Sequence, residues 1–290
     1  MTPDDANPPA YLPFLNLFQS YVIIVAKVVC VALNYRLLMW TSFVRNGRKF
    51  RMESGTMTVY LMFHCANASI SVLGDIYREI VYDPHQLNNK YVLFWTGILD
   101  VSYLAVSPVA VLFITIDRCF VLKRMYIPCG KKYRKRLLVA DVVTIFLCYL
   151  LCCVVYLAEL PLDLTKVARC EQFACLIIKY LNVPQLALKS VISTLNVVCS
   201  VAFLYLMNVS AFAKGMSNRV VKYTAITELV FITFPSYAGL LFNIVTGIPL
   251  AHYTGQYARM LCSIDATLCS LYFTYVMRQT STHVNAMGTA

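Results

Sequence analysis

Charge is scarce in this chain. Asp, Glu, Lys and Arg make up 13% of its 290 residues and hydrophobic types 59%, against roughly 25% and 45–50% in soluble domains. Together with a mean hydropathy of +0.65, that scarcity argues against a soluble globular protein. Glycine is also sparse, ten in all, and no period of roughly 20 to 50 residues repeats, which removes collagen-like, solenoid and propeller architectures. Only four histidines are present, far apart, and no cysteine spacing is of the zinc-binding kind, so no metal and no cofactor are expected. The opening segment, "MTPDDANPPAYLPF", has Asp4 and Asp5 but no Lys or Arg. It lacks the basic n-region of a cleavable signal peptide, and the first apolar run is expected to serve as an uncleaved signal anchor.

What is abundant is long apolar runs. A helix crossing a hydrocarbon core about 30 Å thick needs about 20 predominantly apolar residues. Seven segments meet that requirement: Leu15 to Trp40, Met57 to Val81, Val92 to Leu122, Leu137 to Leu160, Gln185 to Phe212, Tyr223 to Ile248, and Ala258 to Met277. The last is diluted by Asp265 and several Ser and Thr. The expected fold is all-α, a single seven-transmembrane helix bundle. Most of the twelve cysteines fall within these runs, where small polarizable side chains pack helices.

The formal charge of +11 does not imply nucleic acid, because the basic residues lie in short gaps between apolar runs rather than on a water-exposed domain. They are unevenly shared. Alternate gaps hold fifteen Lys and Arg on one side and six on the other, and cytoplasmic loops carry the excess. The amino terminus is therefore expected outside and the carboxyl terminus inside. The densest gap, "KRMYIPCGKKYRKR", begins with Lys123 and Arg124 and is suited to anionic lipid, at about 1 kcal/mol per basic residue.

Against this background the stretch "VLFITIDRCFVLKRMY" stands out, since Asp117 and Arg118 interrupt an apolar run at its inner end. Ionisable residues inside a membrane are costly and usually face the bundle interior or a partner; an Arg at a span end can instead snorkel. Asp100 precedes Arg118 by 18 residues. That is five turns at 3.6 residues each, so both project from one face about 27 Å apart. Internal pairing of Asp100 with Lys189, or a proton shared with Asp265, competes with direct ligand contact. Around Asp100 the outer halves contribute Trp95, Tyr103, Gln185, Lys189, Tyr237 and Asp265, a mix of apolar walls and few polar groups that suits a small ligand. Pro235 is expected to kink the sixth span. Glu228, two turns nearer the cytoplasm, is either a partner for Arg118 or a polar group bonded within the bundle.

Seven spans, an outside amino terminus and "IDRC" at the inner end of the third span resemble a G protein-coupled receptor. The chain also departs from the rhodopsin-like pattern. "LCSIDATLCSLYFTYV" has no Asn-Pro-x-x-Tyr, Thr233 stands where a Trp is common, and "NKYVLFWTGILD" lacks the usual Cys. Rhodopsin-like in outline and divergent in sequence, it looks most like the nematode serpentine chemoreceptor families. The resemblance implies a small external molecule bound in the outer half, with Asp100, Tyr103, Trp95, Lys189, Tyr237 and Asp265 as candidate contacts. It also implies that an Asp at the position of Asp100 can pair with a ligand ammonium. Arg118 would be the activation switch and Asp117 its restraint. Glu228 and Pro235 would take part in the transition, and Lys123 and Arg124 would border the site of a heterotrimeric G protein. The location implied is the plasma membrane, as in a sensory cilium. Cys170 and Cys175, in the outer second loop, are expected to bridge each other, with Cys262 as an alternative partner.

The rival reading is a small polytopic transporter or channel. Transporters commonly show two related halves and channels a filter segment, and neither is visible. An enzyme is not expected, because no catalytic constellation is evident and His64 stands alone in its span. A retinal Schiff base is excluded by the absence of Lys from residues 258–277.

Overall fold

A computed structural model describes residues 11–43, 55–81, 87–123, 131–160, 162, 173–176, 183–209, 216–246 and 250–288. Among the described residues, seven helices are long and apolar enough to cross a membrane and no strand occurs. The first to fifth helices are Leu12–Phe43, Gly55–Ile80, Leu87–Lys123, Lys131–Leu157 and Val183–Val209. The sixth runs as Met216–Glu228, a π turn Leu229–Thr233, and Phe234–Thr246, and the seventh is Tyr257–Gly288. One-turn helices Phe173–Leu176 and Ala251–Thr254 precede the fifth and seventh. The seventh outruns its apolar stretch, since nothing between Met277 and Gly288 breaks a helix.

Burial is concentrated in the third helix. In its apolar window 78% of residues are buried, against 56% in the seventh helix and 17–28% in the other five; it packs on the second, fourth, fifth and sixth helices, while the first packs on the second and seventh. Small residues allow the close approach, with Ala105, Val106, Val109 and Ala110 almost wholly inaccessible. Larger side chains, among them Tyr60, Leu61, Ile114, Phe203 and Phe273, complete one continuous core. The outer helices turn Val25, Phe146, Leu195 and Ile244 outward. That is unfavourable in water and suited to lipid.

Two prolines interrupt the backbone ladder, and each is answered locally. Pro108 lies inside the third helix and cannot bond the carbonyl of Leu104. The hydroxyl of Ser107 donates to that oxygen at 3.4 Å, a long bond that partly replaces the missing one. Pro235 would crowd the carbonyl four residues before it. The chain widens there, and the Phe234 N–H reaches the carbonyl of Leu229, five residues back. The kink expected from Pro235 thus takes the form of a π turn, a feature frequent at functional sites.

Candidate functional site

Lys27 sits in "VIIVAKVVCVAL" with no polar neighbour in sequence. An ammonium in such a run must turn inward and find acceptors. Its Nζ donates to Asp75 Oδ2 of the second helix at 2.9 Å and to Asp100 Oδ1 of the third at 3.1 Å. Ser71 joins them, accepting from Lys27 and donating to Asp100. From the seventh helix Arg259 approaches the other side, with Nη2 on Asp75 Oδ1 at 2.7 Å and Nε on Asp100. Four helices are therefore tied by two carboxylates and two cations; Lys27, Asp75 and Asp100 are buried and Arg259 is partly so, a setting where charges persist only when paired.

Arg78 extends the cluster toward the surface. Its Nη2 stands 3.6 Å from Asp75 Oδ1, 3.0 Å from Ser20 Oγ and 3.1 Å from Glu79 Oε1. Gln256 Oε1 accepts from both arginines, at 2.5 Å from Arg259 and 3.3 Å from Arg78. The turn carrying Gln256 is clamped by Gln19, which donates to the Thr254 carbonyl at 2.8 Å and accepts from the Gln256 N–H at 2.6 Å. Between them Gly255 has φ of 63°, and a Cβ there would stand 2.2 Å from Asn16 Oδ1. Only glycine meets both demands.

Beside the cluster lies a cavity of about 130 Å³. Asp75, Arg78, Asp100 and Arg259 form its polar side, and Leu93, Val101, Leu104 and Phe173 its apolar side. Phe173 belongs to the one-turn helix before the fifth span and lies across the third. Its ring is 5.9 Å from those of Phe94 and Tyr156. It packs directly on Gly97, where a Cβ would come within 2.2 Å of the ring. The missing side chain at position 97 is what lets this segment seat over the cavity.

A second polar group lies deeper. Lys189, Glu228 and Asp265, from the fifth, sixth and seventh helices, are all buried and interact electrostatically. Neither carboxylate oxygen of Glu228 accepts a hydrogen bond among the described residues. His64 Nδ1 bonds the hydroxyl of Tyr103, on the third helix, at 2.7 Å.

Asp100 and Gln185 line the cavity. Tyr103, Lys189 and Asp265 lie below it, Tyr103 packing with Leu104, Ile232 and Cys262. Tyr237 bonds Thr194 and the Ser190 carbonyl, the latter at 3.3 Å, between the fifth and sixth helices. Trp95 is 50% exposed on the bundle's outer surface beside Phe94. Asp100 takes Lys27 and Arg259 as partners rather than Lys189 or Asp265. At the opposite end of the third helix Asp117 and Arg118 are both buried and joined by an ion pair of 3.2 Å. Glu228 interacts with Asp265 and Lys189, within the bundle. Lys123 is exposed at the third helix's end. Arg124, Cys170 and the side chain of Cys175 lie outside the described residues. Cys262 is a free thiol.

Sequence reasoning missed Lys27, Ser71 and Asp75, and used Arg78 and Arg259 only as basic residues. The signal was available for Lys27 and Asp75, since each is an ionisable side chain within an apolar run. Which charges meet depends on how the helices are arranged about the third, and spacing within one helix does not carry that. No protein-family model matches the chain, and no curated protein matches it either.

Proposed function

We propose that the chain is a chemosensory receptor. It binds a small external molecule in the cavity beside Asp100 and activates a heterotrimeric G protein at the far end of the bundle. The observation that carries this reading is the third helix, buried along most of its length, with Asp100 on the cavity wall and the Asp117–Arg118 pair about 27 Å further along. One continuous helix thus links a ligand-sized space to a buried switch-like pair. The excess of Lys and Arg in alternate loops supports an outside amino terminus, which sets the cavity toward the exterior and Arg118 toward the cytoplasm of a plasma membrane, as in a sensory cilium. The π turn in the sixth helix supplies a place where the backbone ladder is already irregular and a pivot costs least. The resemblance to nematode serpentine chemoreceptors rests on the seven spans and on "IDRC" at the inner end of the third.

A ligand drives such a transition only through differential affinity, and a shift from 1:99 to 99:1 takes about 5.5 kcal/mol. The test is expression of the full chain in heterologous cells with a chemical panel and a G protein readout, repeated on Arg118→Ala. Agonist responses are expected in the wild type and absent in the variant at equal surface expression. The buried charges Lys189, Glu228 and Asp265 favour a second reading, a transporter or channel. Substrate uptake or ligand-gated current independent of G protein would establish it in place of the receptor.

A further inference from the structure

We infer that the ligand of this cavity is a small monocarboxylate, bound by the guanidinium of Arg259 with Arg78 beside it. The inference rests on reading the cavity as the ligand site. Three observations carry it, concerning acceptors, donors and size.

The carboxylates are already occupied. Asp75 receives Lys27, Arg259 and Arg78, and Asp100 receives Lys27, Ser71 and Arg259. An ammonium ligand would have to displace a resident cation from a buried site, exchanging one ion pair for another and leaving the displaced charge uncompensated. The arginines, by contrast, retain donors. A guanidinium has five N–H groups, and Arg259 uses one each on Nε, Nη1 and Nη2, which leaves one on each terminal nitrogen. Among the described residues Arg78 directs Nη1 only to Gln256, which leaves one more. Both side chains line the cavity. Terminal guanidinium N–H groups match the spacing of carboxylate oxygens, and such charge-assisted bonds are the strong ones.

The electrostatic balance points the same way. Lys27 and Arg259 are matched by Asp75 and Asp100, while Arg78 leans on Glu79, whose side chain is 27% exposed and so partly screened by solvent. A bound anion therefore meets a weak positive surplus. Size then limits the ligand. An apolar cavity of about 150 Å³ takes up benzene, so the space of about 130 Å³ here suits roughly six heavy atoms. Leu93, Val101, Leu104 and Phe173 offer a dry surface for a short alkyl group opposite the arginines.

The experiment uses the full-length chain with butanoate, butanamide and butylamine, which share a chain length and differ in the head group. Two readouts are taken, thermal stabilisation of the purified protein in detergent and G protein activation in cells. Stabilisation by butanoate, with the amide and amine much weaker, is expected, together with activation by butanoate. Arg259→Lys keeps the charge and loses the fork, and should raise the half-saturating butanoate concentration by about tenfold to a hundredfold. Butylamine or butanamide matching or exceeding butanoate overturns the ligand class and leaves the receptor reading intact. Stabilisation by butanoate without activation has the reverse meaning, removing the receptor and keeping the carboxylate site. Unchanged butanoate affinity in Arg259→Lys overturns the assignment to that guanidinium. If the variant fails to reach the surface, the wild-type head-group series decides alone, and no stabilisation by butanoate counts against the proposal.

Discussion

Removing Lys27 tests the ionic cluster most directly. Its ammonium lies 2.9 Å from Asp75 and 3.1 Å from Asp100, and at an effective dielectric constant near 20 each contact contributes about 5 kcal/mol of attraction. Desolvation of the three groups offsets most of that. What remains when one partner of a buried ionic group is deleted is about 3–5 kcal/mol, because Lys27→Met leaves Asp75 and Asp100 together with Arg259 as their main counter-charge. At roughly 2 °C per kcal/mol for a large chain, the melting temperature in detergent is expected to fall by about 6–10 °C. The companion Asp75→Asn should also destabilise. The double variant removes one charge of each sign, so Arg259 faces Asp100 alone, and it should be more stable than the sum of the single losses implies by about 1–3 kcal/mol. Strict additivity, or a Lys27→Met protein that melts with the wild type, would refute the coupling and with it the view that this cluster ties four helices.

Gly97→Ala should cost about 1–3 kcal/mol by overpacking, since its Cβ would meet the Phe173 ring at 2.2 Å; Phe173→Ala in the same chain should restore part of the melting temperature, and failure to do so would place the strain elsewhere. Gly255→Ala combines a φ of 63° with a clash against Asn16, and should lose at least about 1 kcal/mol in the same assay. Asp141 is buried, and neither of its carboxylate oxygens has a hydrogen-bond partner among the described residues, so Asp141→Leu is expected to leave stability unchanged or raise it by about 1–3 kcal/mol. A fall of that size would reveal a partner for the carboxylate. Tyr103→Phe removes the 2.7 Å bond to His64 and should lower stability by about 1 kcal/mol or more, read as a shift in melting midpoint.

The spans were legible because membrane insertion is written in length and composition, which survive without any partner. Asp100 and Arg118, five turns apart, are both buried, as are most residues of that helix whichever way they face. The cluster was not readable because its members come from four helices, Lys27 standing 48 positions from Asp75 and Asp75 184 from Arg259, and only helix packing decides that they meet. Trp95 shows the converse error of scale. It shares a span with Asp100 but points outward, since five residues on a helix differ by about 140° in direction. The π turn was invisible as well. Pro235 predicts a disturbance, but whether the backbone bends or widens depends on what packs around it.

In the sixth helix Thr224, Glu228, Ile232 and Ser236 are all buried, a stride of four residues. On an unbroken α-helix each such step overshoots a full rotation by about 40°, and three steps would carry the last side chain about 120° away from the first. The widened turn at Leu229–Thr233 absorbs close to one residue's worth of winding, about 100°, and brings the two halves back into phase. Tightening that single turn would rotate the Ser236 half like a key in its lock, while the Thr224 half kept its contacts.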